Sequence, residues 1–221
     1  MPPRLSLLLT LAVLAVFPAA AHAFPAGRTL IASGDATLAA ALPAPVGQFT
    51  HIDYRGAMSD DGRYVAFTSN SDGLSTEDDD RYANVFVKDR VTGAVTLASR
   101  KTGAAGGPSH GNCRIATISD DGTRVAFECD QSLDAADTNT HLDIYVRDLK
   151  ASTTTLESRA TAGGVANREA NQPMISGDGQ AVVFTSHATN FDPADTDYAP
   201  DVYWRSLGPS HATKLVSRSS A

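Results

Sequence analysis

Three acidic loops carry the side chains best suited to chemistry in this 221-residue chain: LSTEDDD (74–80), LDAADTN (133–139) and FDPADTD (191–197). In each, an apolar residue leads and an Asp follows four positions on (Asp78, Asp137, Asp195). A second oxygen-bearing side chain comes two later (Asp80, Asn139, Asp197). Oxygen ligands at i and i+2 suit Ca²⁺, which takes roughly 6–8 of them. The helix–loop–helix calcium pattern with its terminal Glu is absent, and one loop alone offers few ligands. The simpler reading is Asx-type turn capping, with the leading Leu or Phe tucked into the fold. Calcium is the one cofactor these residues suggest.

Other candidates are weaker. Gly107-Pro108-Ser109-His110-Gly111 matches G-x-S-x-G, a pattern that makes a nucleophile only between a strand and a helix; here it lies in a Gly-rich connection. His51, His110, His141, His187 and His211 follow no metal-ligand spacing. Arg100, Arg159 and Arg218 recur after T-L-x-S-type segments and read as solvated edge residues that discourage strand addition. Trp204 reads as core packing. No catalytic constellation emerges, so the chain reads as a non-enzyme.

The elements that position these loops are repeated. SDDGRYVAF (59–67) returns as SDDGTRVAF (119–127) and SGDGQAVVF (176–184). NVFVKD (84–89) returns as DIYVRD (143–148) and DVYWRS (201–206), and VTLASR (95–100) as TTLESR (154–159) and TKLVSR (213–218). Three separate elements share a period near 59 residues, the signature of a solenoid, propeller or array. The elements are short, β-branched and aromatic, and are bounded by Gly, Asp and Asn, so they are strands. With one strand before each Asp-Gly turn, every repeat has four. The central strands are continuously apolar, which implies burial on both faces. The fold expected is all-β: three four-stranded antiparallel propeller blades, incomplete or open because closed rings typically need about 4–8 blades. Asp61-Gly62, Asp121-Gly122 and Asp178-Gly179 form the structural turns, where Gly takes a positive φ and Asp caps the turn.

The S-D-D-G-R-Y-V-A-F string, followed by an acidic loop, N-V-F-V-K-D and T-L-x-S-R, resembles the TolB-like, WD-repeat-like bacterial β-propeller repeats over roughly residues 50–221. The resemblance implies a propeller and protein–protein contact in the cell envelope. It also implies that inner-strand residues near Arg55, Arg114 and Asn171 face a central channel.

The termini and cysteines set the compartment. Arg4, the apolar run 5–17 and Ala21-His22-Ala23 read as a secretory signal peptide, residues 1–23. Residues 24–50 then read as an extra strand (TLIAS, 29–33) and a linker (41–47). The blades follow at about 51–108, 109–168 and 169–221. Cleavage removes Arg4 and no acid, leaving 17 basic against 25 acidic side chains, a net charge of −8. That balance disfavours nucleic acid and anionic lipid, and no second segment approaches membrane length. Cys113 and Cys129 fall opposite one another if the second hairpin centres on Asp121, within disulfide reach; the same register sets Ile118 opposite Arg124 and Ile115 opposite Phe127. The function expected is an exported, periplasmic or secreted, non-catalytic module that binds a protein or other macromolecule, or pairs with itself to close a ring. The alternatives are the propeller part of a larger exported hydrolase or lyase, and a calcium-stabilised surface propeller.

Overall fold

The computed structural model describes residues 49–53, 56–78 and 80–218. The signal segment 1–23, the TLIAS stretch, the linker at 41–47 and Arg55 lie outside the described residues. Within them the chain forms three four-stranded antiparallel sheets and no helix. The first holds β1 (Thr50–His51), β2 (Tyr64–Ser69), β3 (Asn84–Asp89) and β4 (Val95–Leu97). The second holds β5 (Cys113–Ile118), β6 (Arg124–Cys129), β7 (Asp143–Asp148) and β8 (Thr153–Leu156). The third holds β9 (Ala170–Ile175), β10 (Ala181–Ser186), β11 (Asp201–Ser206) and β12 (Thr213–Leu215). Strand order follows chain order in every sheet, as in propeller blades. Among the described residues, the first strand of the first blade runs from Thr50, which pairs with Ser69.

Each Asp-Gly turn is built the same way. Ser59 Oγ donates to Asp61 Oδ1 at 2.7 Å, and the Arg63 N–H donates to the same oxygen at 2.9 Å. Ser119 and Thr123 do this for Asp121, and Ser176 and Gln180 for Asp178. These bonds hold all three carboxyls below the usual Asp range: the Arg63 N–H leads at Asp61, the serine hydroxyl at Asp121 and Asp178. The turns also stack between blades, since the Asp60 N–H donates to Asp120 O and the Asp120 N–H to Gly177 O.

The register of the second hairpin differs from expectation. Ile118 stands opposite Val125 and Thr117 opposite Ala126, because the turn centres between Asp121 and Gly122. A β-bulge between Arg114 and Thr117 then restores Cys113 opposite Cys129, and the two are joined in a disulfide. Ile115 in the bulge has φ +55°, unusual for a β-branched residue. The third blade repeats the device at Gln172, φ +57°.

Blades pack face to face by a fixed rule. A large row on the leading face of one blade (Phe127, Tyr145, Leu156) meets a small row on the trailing face of the blade before it (Ala66, Val85, Val87), all buried. Phe184, Tyr203 and Leu215 meet Ala126, Ile144 and Val146 in the same way. Arg147 and Arg205 hold the polar flank: Arg147 donates to Lys101 O and Arg205 to Arg159 O, both at 3.0 Å, across the blade boundary.

Candidate functional site

The three acidic loops join β2 to β3, β6 to β7 and β10 to β11 at the same place in each blade. Their leading Leu133 and Phe191 are buried, and Leu74 packs beside Phe67 and Phe86. Successive Asx turns follow. In the second loop the Asn139 N–H donates to Asp137 Oδ1 and the His141 N–H to Asn139 Oδ1. In the third, Asp197 donates to Asp195 and Ala199 to Asp197. The first shows the same turn from Tyr82 to Asp80.

Capping does not exhaust these carboxylates. A third oxygen-bearing side chain, six positions after the first Asp, opens the following strand: Asn84, Asp143 and Asp201. The sequence reading missed it because it looked like part of the strand. Asp143 is fully buried; Ser158 Oγ donates to Oδ1, while Oδ2 accepts no hydrogen bond. Burial pushes its carboxyl up to about 7, with Asp137 nearby adding to the shift. Asp195, Asp197 and Asp201 bring carboxylate oxygens within 4.8 Å of one another.

The tyrosine hydroxyls of Tyr145 and Tyr203 donate to Asp137 Oδ2 and Asp195 Oδ2. Burial and that bond hold both phenols well above the usual tyrosine range. Phe86 occupies the matching position in the first blade, and Asp78 Oδ2 there is buried without a partner. Burial pushes the Asp78 carboxyl up to about 6. Phe86→Tyr restores the missing donor and is expected to raise the unfolding free energy by about 1 kcal/mol in urea denaturation. A neutral or destabilising effect counts against this account.

The remaining candidates fall elsewhere. Ser109 is buried, its hydroxyl bonded to Gly111 O and Gln131 Oε1, and a strand follows it. That is no nucleophile elbow. Arg100 is not a solvated edge residue: its guanidinium is buried, paired with Glu77, and donates to Gly106 O at 2.8 Å. It folds back because the link to the next blade curls over it. Arg159 likewise donates to Gly163 O. His141 and His187 line one pocket with Arg168, Glu169 and Tyr198. On the inner strands, Arg114 pairs with buried Glu128 at 2.8 Å. Glu128 also accepts the bulge N–H of Gln172 at 3.0 Å, as Asp53 accepts that of Ile115 at 3.1 Å. Asn171, opposite Thr185, is half-buried.

Trp204 is not core. It lies on the trailing face of the third blade, level with Met174, Val183 and Lys214 in the strand register. Met174, Val202 and Val216 on this blade are 49%, 39% and 52% exposed. The matching Ala66, Val85 and Val87, and Ala126, Ile144 and Val146, are buried by the next blade.

No family model and no curated protein matches the chain. Among solved structures, it resembles TolB from Acinetobacter baumannii at 16% identity, covering 76% of this chain and 32% of that one, with a TM-score of 0.46. A putative TolB from Agrobacterium tumefaciens is similar at 15% identity over 79% of this chain and 49% of that one, TM-score 0.45. The tricorn protease follows at 16%, 69%, 13% and 0.44. The chain thus spans half or less of the length of each. At such identities and TM-scores no activity transfers to this chain, and its blade architecture rests on its own strand topology.

Proposed function

We propose that the chain is an exported, non-catalytic binding module that recognises protein through the trailing face of its third blade. One observation carries the reading. Among the described residues, the trailing face of the third blade, whose counterparts in the first two blades are buried, presents Met174, Val183, Val202, Trp204 and Val216 in one patch. Contiguous apolar surface of this kind marks interaction sites, and the half-buried Trp204 within it is of the residue type that carries binding energy once a partner covers it.

The partner on which the reading is tested is a second copy of the chain, trailing face to trailing face. Head-to-tail pairing is less suited, because Phe67, Phe86 and Leu97 on the leading face of the first blade are only 2%, 0% and 2% exposed. Light scattering behind a sizing column is expected to give a dimer at micromolar concentration. Trp204→Asp, on an already open face, is expected to give a folded monomer. A wild-type chain that stays monomeric at every concentration overturns the reading.

A further inference from the structure

We propose that the acidic loops of the second and third blades each hold one divalent cation, calcium by ligand chemistry, on Asp137, Asn139 and Asp143 in one and Asp195, Asp197 and Asp201 in the other. The first support is the orphaned oxygen. Asp143 is fully buried, and its Oδ2 makes no close hydrogen bond, although the Asn139 side chain lies near enough to favour the charged carboxyl. A buried carboxylate oxygen without a partner is costly, and a cation beside Asp137 and Asn139 removes that cost.

The second support is spacing. The oxygens of Asp195, Asp197 and Asp201 lie within 4.8 Å of one another. One Ca²⁺ with oxygen ligands at about 2.3–2.6 Å spans that gap. The third is charge. The donors to these carboxylates are neutral: the hydroxyls of Tyr145, Tyr203, Ser158 and Ser217 and main-chain N–H groups. The three carboxylates of the third loop, and the two of the second beside the Asn139 amide, are therefore left with no bonded cation from the protein. Main-chain carbonyls and water supply the rest of the shell. All six residues follow the spacing i, i+2, i+6.

The first blade keeps the spacing but fills the place itself. Asn84 Nδ2 donates to Asp78 Oδ1 at 3.1 Å, and His110 Nδ1 lies 2.8 Å from Asp80 Oδ2. The proposal is therefore for two sites rather than three.

The test uses the full chain, exported and oxidised, stripped with EDTA. Ca²⁺ titrated calorimetrically is expected to bind at two per chain and to raise the melting midpoint. Tb³⁺ is expected to emit when tyrosine is excited, since Tyr145 and Tyr203 bond directly to Asp137 and Asp195, and Ca²⁺ should quench that emission by displacement. Asp143→Asn and Asp201→Asn keep side-chain shape; each is expected to remove one site or weaken it at least tenfold. Absence of Ca²⁺ heat and of Tb³⁺ emission in the wild-type chain overturns the proposal even if a variant fails to fold. Binding that both Asn variants leave unchanged also overturns it.

Discussion

Glu157→Ala is expected to lower the unfolding free energy by about 3–5 kcal/mol, the loss typical of removing one partner from a buried ion pair. Glu157 directly follows β8 of the second blade, and Arg205 lies on β11 of the third. Their side chains are 5% and 4% exposed, and Arg205 Nε donates to Glu157 Oε2 at 2.6 Å. Arg205 NH1 also donates to Arg159 O, His211 O and Thr213 Oγ1. These bonds hold the guanidinium in place at the blade boundary. Removing the carboxylate strands a buried charge at a blade boundary. For a chain of this length each kcal/mol moves the melting midpoint by about 2–4 °C, so thermal melts followed by circular dichroism should fall by roughly 10 °C. The double variant Glu157→Met, Arg205→Met should cost far less than the two single losses added, because no charge is left unpaired. A single-variant loss under about 1 kcal/mol, the range of exposed pairs, would sink the argument.

The blade before it shows the contrast. Arg147 fills the place of Arg205, but Ala98 stands where Glu157 would be, and Arg147 Nε is buried without a partner. Burial accordingly pulls the Arg147 guanidinium below its usual range. Only one of the two described blade boundaries carries the ion pair.

Gly122→Ala should be the second largest loss, and Gly62→Ala should be markedly milder although both occupy the same turn. Both glycines have positive φ, +70° and +67°, so a side chain at either costs about 1–2 kcal/mol in backbone conformation. Their surroundings differ. A Cβ on Gly122 would come 2.0 Å from Tyr64 Cδ2, whereas on Gly62 the nearest atom is Arg90 NH1 at 3.6 Å. Tyr64 cannot simply swing away, since it packs on the core and Arg63 stacks on its ring. Overpacking adds about 1–3 kcal/mol, for a total of roughly 2–5 kcal/mol at Gly122. Urea denaturation of the two variants decides the matter: equal losses would show that blade nesting at Tyr64 is loose.

The sequence by itself determined the local architecture. Its period near 59 residues, the Ser-x-Asp-Gly turns and the apolar central strands specify three four-stranded blades in chain order, because turn chemistry and strand burial are written in neighbouring residues. Even there, the centre of the β5–β6 hairpin was misplaced by half a residue, and the bulge at Ile115 was invisible, since Ile is a poor residue for a positive φ. The tertiary structure decided what happens between blades. Asp53 serves Ile115 and Glu128 serves Gln172 across 62 and 44 residues, from positions that do not match in the repeat. The same holds for Arg205 and Glu157 and for the buried Arg100. It holds as well for Trp204, whose strand resembles its buried counterparts yet lies on an open face. These contacts join groups distant in sequence, and no local pattern records them; they exist only after the sheets have stacked and water has left the surfaces between them.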